Sequence, residues 1–595
     1  VEPQGKGVKA LQAEINAKLN KTPREVFEKL GKIRTKSAFQ VLKTSAQKLK
    51  GRQAKIRAFA AMRHLLDDEK LKDPVLEHIE DVAINGSSGN AQAAVRGLAQ
   101  FGQRGKVGLR RIVEESDDVR TRQFAFRPIH KELLSEGGTK VRDMVLRDFL
   151  VPESGSEDQA LALLRMYTSP ADLKLFKAVV EDEERSISMR RIVIRAMESL
   201  APKGAGDSEV RPKKGDQAAA VIMVGLKSDE PRLQYQALLS TGLRPAPMSG
   251  AAMRVINKHA KSDDDATRRA ATLLLLEKGD GKLTPLKLAG SRDVMMRQAA
   301  AIALGSVPGD QSFKALAKLA TDKNWTVKVE AIRALSAQRD RRAIPLLVER
   351  IHREQGRLIA DVAAALEGLT GRTYGTSVKT WRRFWNKEGD EFEMPTLAQA
   401  TEALEARAKK KNKAAAAAGA SVASFYGLSV ISGRFAIVFD ASLSMQAKGK
   451  SGKRRIETAK EQLKSTINRL GEGTLLNLIP FAAKVDPLWD RLMPLNEETQ
   501  AEAIEFTDGL IMKLGTDIYD GLFTAFLDEQ IDTIYVLSDG ASTEGVVKDT
   551  DGLQEEVSRW NSVRGIRIHC IAIGTNHPLL RGLAADSGGT FVRVD

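Results

Sequence analysis

The chain has 595 residues, more than one hydrophobic core holds and enough for three or four domains, or for a repeat array carrying a domain. Its 42% hydrophobic and 29% charged residues exclude a disordered chain. No run approaches the ~20 apolar residues of a membrane span, and the single cysteine, Cys570, excludes a disulfide framework or a cysteine-based zinc site. Of the net +16, residues 431–595 carry −6 (18 Lys+Arg against 24 Asp+Glu), leaving +22 on the first 430. That excess predicts weak, non-specific contact with acidic polymers, although a solvated helical surface explains the same charge more economically.

The first 390 residues lack alternating strand patterns and show apolar residues at helical spacing, rich in Ala and Leu. Arg297–Gly305 aligns with Lys328–Ser336, and Arg268–Ala271 aligns upstream, at spacings of 31 and 29 residues. Periods near thirty belong to stacked helix pairs, each burying its apolar face against its neighbours. Asp263, Asp293 and Asp322 stand just ahead of these helices, where an acid caps free N–H groups. The pattern resembles short HEAT-like repeats. Weaker units fall at 92–102, 118–128, 188–200 and 231–243, and residues 1–90 read as irregular helices.

The array is expected to end near residue 390, in a segment containing Trp381 and Trp385. Those rings fit a terminal cap over the last repeat better than a nucleic-acid platform, because an open solenoid end must be sealed. Residues 391–430 follow as an Ala/Lys-rich linker, with Leu404, Arg407, Lys409, Lys410, Lys411 and Lys413 ahead of Ala414–Ala418.

From Gly433 the pattern changes. Apolar runs at 435–439, 475–479, 534–537 and 566–573 alternate with amphipathic stretches at 456–470, 499–510, 518–527 and 553–563. This predicts an α/β, doubly wound, mostly parallel sheet covered on both faces. In such sheets ligands bind at the carboxyl ends of the strands. Three segments fall there: Asp440-Ala441-Ser442-Leu443-Ser444, Gly515-Thr516-Asp517 and Ser538-Asp539-Gly540. Their donors are carboxylate and hydroxyl oxygens, a set that suits Mg²⁺ or Mn²⁺ rather than zinc. Asp517 and Asp520 read as helix-start and surface residues.

Asp-x-Ser-x-Ser, a Thr ahead of a later helix and an Asp closing a later strand resemble the von Willebrand factor A domain with its metal-ion-dependent adhesion site. The resemblance implies that Asp440, Ser442, Ser444, Thr516 and Asp539 bind the ion directly or through water. It also implies a protein partner that presents an Asp or Glu carboxylate to the open position. Leu443 stands where the family often has Gly. The whole outline, including Phe425-Tyr426-Gly427-Leu428, resembles bacterial proteins of planctomycete-like genomes that join HEAT-like repeats to this domain.

These features predict three parts: a repeat array over 1–390, a linker over 391–430 and a von Willebrand factor A domain over 431–595. The expected function is non-enzymatic, metal-dependent protein interaction or adhesion. The alternative is RNA binding by the basic array, in a layout similar to the Ro ribonucleoprotein. A hydrolase would need an acid–base group beside the ion. The scattered His64, His78, His130, His259 and His352 do not supply one; His569 reads as a core-edge residue and His577 as the one histidine on the functional rim. A chain starting at Val1 reads as one shortened at its start, by leader removal or by another truncation; export is the expectation, with a cytoplasmic protein as the alternative.

Overall fold

The structure, a computed structural model, describes residues 2–594 apart from 149–155, 201–215, 246, 280, 405, 407–423, 451, 548–549 and 575–576. The basic and alanine run of the linker, from Arg407 to Ala418, lies outside the described residues. Contacts divide the chain into two compact units, 1–196 and 197–595.

The first unit is helical, from Glu2–Lys18 to Ile187–Ala196, and includes helices at Ser88–Leu98, Val119–Phe126 and Ile187–Ala196, where weak repeats were expected. Phe27, Phe59, Phe126 and Phe176 are fully buried within it.

The second unit opens with antiparallel helix pairs. The second helices of successive pairs, Pro231–Leu243, Asp265–Lys278, Val294–Gly305, Trp325–Gln338 and Arg357–Thr370, stack into one layer. Two of the aligned basic positions reach forward along the array, Arg297 to Asp322 at 2.7 Å and Lys328 to Glu354 at 3.2 Å, whereas Arg268 pairs closely with Asp265 of its own helix at 2.5 Å and stands 4.0 Å from Asp293. Part of the array's positive charge is therefore neutralised inside it. Capping follows the expected chemistry with shifted residues. Asp293 caps as expected, but the other two caps are Asp264 and Asn324, whose side chains accept from Thr267 N and Thr326 N. Asp322 is diverted to Arg297. Trp381 is fully buried against the last repeats and donates its ring N–H to Gly375 O at 2.8 Å, which makes the Trp-rich helix Val378–Glu388 a cap.

The rest of this unit is a six-stranded sheet among the described residues, in the order Met493–Pro494, Leu475–Phe481, Arg434–Asp440, Thr533–Ser538, Arg567–Ile573 and Phe591–Val594. Its strands are β3 (Arg434–Asp440), β4 (Leu475–Phe481), β5 (Met493–Pro494), β6 (Thr533–Ser538), β7 (Arg567–Ile573) and β8 (Phe591–Val594). All pairs are parallel except β4 with β5. Period-two alternation splits each strand between two cores. Ala436, Val438, Ile534 and Val536 face helices Ile518–Leu527, Thr550–Arg564 and Pro578–Ser587. Phe435, Ile437, Phe439, Tyr535 and Leu537 face helices Arg455–Ile467 and Glu497–Gly509. The expected sheet is present; short β5 and polar-flanked β8 carried too little apolar pattern to be read.

A hairpin of β1 (Ser424–Phe425) and β2 (Leu428–Ser429) precedes the sheet and puts Phe425, Leu428 and Val430 into the second core. The domain's packing thus starts at 424, ahead of the expected boundary at 431. A fragment beginning at 424 is expected to be more stable than one beginning at 431 by about 2 kcal/mol, the usual gain from burying one large apolar side chain. Paired urea titrations check this, and equal midpoints would refute it.

The sheet domain does not hang from its linker. Arg357 donates to Asp532 O at 2.7 Å and to Gly565 O, Arg567 pairs with Asp361 at 2.7 Å and Arg559 with Asp264 at 2.9 Å. The guanidinium groups of Arg357 and Arg434 both lie over the Trp325 ring. Several of these contacts engage the starting ends of β3, β6 and β7, leaving the carboxyl edge at the other end of the sheet.

His569 sits on β7 stacked on Tyr535, and its Nδ1 accepts from Thr590 N at 3.1 Å. Burial, with Arg567 and Arg357 nearby, lowers its pKa from 6.5 to about 4. Between those values the unfolded chain binds the proton and the folded one does not. Stability contributed by the neutral ring is therefore full above pH 6.5 and is lost as the pH falls toward 4. His569→Gln is expected to flatten that slope in melts across the window, and an unchanged slope would refute the assignment.

Candidate metal centre at the carboxyl edge of the sheet

Chain connections leave β3 and β6 in opposite directions, which makes the crevice between their carboxyl ends the topological switch point. Asp440 closes β3 and Ser538 closes β6. Asp440 Oδ1 accepts from Ser442 N at 2.9 Å and Oδ2 from Ser538 Oγ at 2.7 Å. Ser442 Oγ and Ser444 Oγ are 2.7 Å apart, and Ser444 Oγ donates to Asp539 Oδ1 at 2.7 Å. Four of the five expected residues thus form one hydrogen-bonded chain between two strand ends.

The fifth arrives through its backbone. Segment 511–516 runs beside the Asp440 loop, with Leu443 N donating to Lys513 O and Lys513 N to Ala441 O, both at 2.9 Å. Thr516 O in turn accepts from Thr543 N at 2.8 Å and Glu544 N at 3.1 Å. Thr516 is buried, as are Asp440, Ser442 and Asp539. Asp517 caps helix Ile518–Leu527 by accepting from Asp520 N at 3.0 Å, the structural role expected of it. Gly545, at φ +100°, closes over the Asp517 carboxylate, where any Cβ would collide.

Burial raises the Asp440 pKa, the bonds from Ser442 and Ser538 oppose the shift, and the negative charge of Asp539 adds to it. Two acids facing each other in a buried crevice are the setting in which a cation is favoured. Among the described residues no three His, Cys, Asp or Glu side chains gather at metal-ligating spacing, so this site depends on its hydroxyls. Its donors are all hard oxygens, which fits a small divalent ion.

Two participants lie outside the five expected donors. Ser538 holds Asp440 in place, and Arg455 Nη1 pairs with Asp539 Oδ2 at 2.7 Å. Arg455 starts a helix well downstream of the Asp440 motif, and its guanidinium lies against Gly574, at φ +71°, where a Cβ would strike it. Asp539 therefore turns one oxygen to the serines and the other to an arginine. His577 is not on an exposed rim. It is buried behind the Asp539-Gly540 turn with Nε2 at Gly540 O, and burial lowers its pKa. The partners of Ser442 and Ser444 are each other, Asp440 through its backbone bond, and Asp539, an arrangement that places no imidazole on either hydroxyl.

Around the polar centre stand four exposed apolar side chains on the same loops: Leu443, Ile511, Leu514 and Val546, the last three more than 70% exposed. Exposed apolar residues gathered around a polar centre mark interaction surfaces more than solvated ones. Among the described residues, no helix is long and apolar enough to cross a membrane.

Residues 433–592 match the family model of the von Willebrand factor type A domain, and residues 284–367 match that of HEAT repeats. The chain thus carries a von Willebrand factor A domain after a helical array of which residues 284–367 match HEAT repeats. Among solved structures it is similar to a von Willebrand factor type A protein from Catenulispora acidiphila (20% identity, TM-score 0.24, 27% of this chain and 38% of that one). It is similar to proximal thread matrix protein 1 of the mussel byssus (20%, 0.22, 27% and 41%) and to the karyopherin Kap121p bound to Ste12p (11%, 0.36, 68% and 48%). The chain spans about two fifths of the first two. No curated protein matches it. Both matched families are generally non-catalytic modules of protein interaction.

Proposed function

We propose that this protein is a metal-dependent interaction module, in which the von Willebrand factor A domain captures a partner's Asp or Glu carboxylate. Asp440, Ser442, Ser444, Thr516 and Asp539 would hold Mg²⁺ or Mn²⁺. The observation that carries the reading is the hydroxyl–carboxylate chain at the switch point, ringed by Leu443, Ile511, Leu514 and Val546. A bound divalent ion supplies a Lewis-acidic position for an incoming carboxylate oxygen. The chain's own residues do the rest. Asp440 contributes charge, Ser538 and the Ser442 backbone fix its orientation, Arg455 holds Asp539 with one oxygen toward the serines, and the apolar ring excludes water around the contact. Docking the opposite end of the sheet on the array presents the site from a fixed mount.

A pull-down from the source organism's extract should retain a partner in Mg²⁺ and release it in EDTA. Leu514→Glu should abolish retention while leaving the metal-induced rise in melting temperature unchanged, because it alters the rim and not the donors. Ser442→Ala should reduce both effects partially, since water replaces a neutral hydroxyl at modest cost. Retention that is indifferent to EDTA but falls steeply with salt would overturn the reading in favour of polyanion binding by the array.

A further inference from the structure

A cavity of about 630 Å³ lies where the repeat layer meets the sheet domain. One wall comes from helices Pro231–Leu243, Asp265–Lys278, Val294–Gly305 and Trp325–Gln338, the other mainly from Thr550–Arg564 and Pro578–Ser587. Its size is that of small-molecule sites, which favour the joints between domains. Polar contacts between the two walls hold the joint. Arg559 pairs with Asp264, Gln298 Nε2 donates to Val563 O at 3.2 Å, and Arg357 donates to Gly565 O beside the cavity.

Much of the lining is aliphatic, with Leu239, Leu273 and Ile302 on the array side and Val557 and Leu583 opposite. Polar groups share the lining, Glu330, Arg333 and Asp586 among them, and Arg269 is the buried cation of the set. It lines the cavity at 8% exposure, and its Nε has no hydrogen-bond acceptor among the described residues. Its ion-pair partner, Glu330, stands 3.6 Å away, past hydrogen-bonding distance, and is shared with Arg333 at 3.5 Å. Asp586, across the cavity, is already engaged by Gln554 and Ser558, each at 2.9 Å. Burial pulls the Arg269 pKa below its ordinary value, with Glu330 opposing. A buried guanidinium short of acceptors is costly, and a carboxylate offers the matching pair of oxygens.

We propose that this cavity binds a small amphiphilic carboxylate, its head on Arg269 and its aliphatic body against Leu239, Leu273 and Ile302. The site is separate from the carboxyl edge of the sheet and does not depend on a metal there.

Calorimetry and thermal melts on the full chain test the proposal, with octanoate as the probe and 1-octanol and acetate as controls. Octanoate is expected to bind and to raise the melting temperature, and both controls to bind more weakly, each lacking one half of the ligand. Arg269→Met keeps an apolar body of similar length and should weaken octanoate about tenfold or more, the worth of a charged hydrogen bond. Glu330→Gln removes the competing carboxylate and should tighten binding. Ala270→Trp fills the cavity with Arg269 intact and should abolish it. If Arg269→Met fails to fold, the other two variants still decide. No octanoate binding, equal binding of 1-octanol, or weaker binding in Glu330→Gln would overturn the proposal.

Discussion

Asp440→Ala is expected to remove most of the rise in melting temperature that Mg²⁺ or Mn²⁺ produces in the full chain. Only the folded loops bring Asp440, Ser442, Ser444, Thr516 and Asp539 together, so an ion held by them binds the native state alone. At a hundred times its dissociation constant such a ligand adds about 2.7 kcal/mol. Asp440 is fully buried, and its acid faces that of Asp539, so it supplies charge that a neutral hydroxyl cannot. Asp440→Asn separates charge from shape, because it retains an oxygen for Ser442 N. Both variants should lose the metal response, while their metal-free melting temperatures report the balance between relieved repulsion and lost hydrogen bonds. A metal response that survives in Asp440→Asn would place the ion elsewhere.

Arg357→Ala is expected to cost about 3–5 kcal/mol, the usual loss when one partner of a buried ion pair is removed. Arg357 is 2% exposed, pairs with Asp361 at 3.1 Å, and spans from the last repeat to the carbonyls of Asp532 and Gly565. Its removal leaves Asp361 with Arg567 alone and strips the joint of its central donor. The loss should be localised. Calorimetry should resolve a separate transition for the sheet domain, and limited proteolysis should reach the joint sooner. A milder variant, Arg357→Lys, keeps the charge but cannot reach two carbonyls in the same geometry, and should fall between. A single unchanged transition in Arg357→Ala would mean that the domain is held by its linker and not by the docked face.

What the chain carries locally was readable in order. Near-continuous apolar runs in β3, β4, β6 and β7 specify a sheet buried on both faces, because successive side chains enter opposite cores and both must be apolar. The order of Asp440, Ser442, Ser444, Thr516 and Asp539 along those elements placed a candidate site at their carboxyl ends, and the thirty-residue period of Arg268, Arg297 and Lys328 announced stacked helix pairs. Other features depend on chain segments far apart in sequence, and no local period encodes them. Arg455 reaches Asp539 across 84 residues and Arg357 reaches Asp532 across 175. His577 turns inward because Gly540 O lies behind its loop. The caps moved by one residue from Asp263 to Asp264 and by two from Asp322 to Asn324; each residue of shift rotates a helix start by about 100°, and only packing against the neighbouring pair selects the register. Whether a basic residue faces solvent, the next repeat or the docked sheet was decided there too: the sequence counts charges, and the tertiary structure determines which of them are already paired.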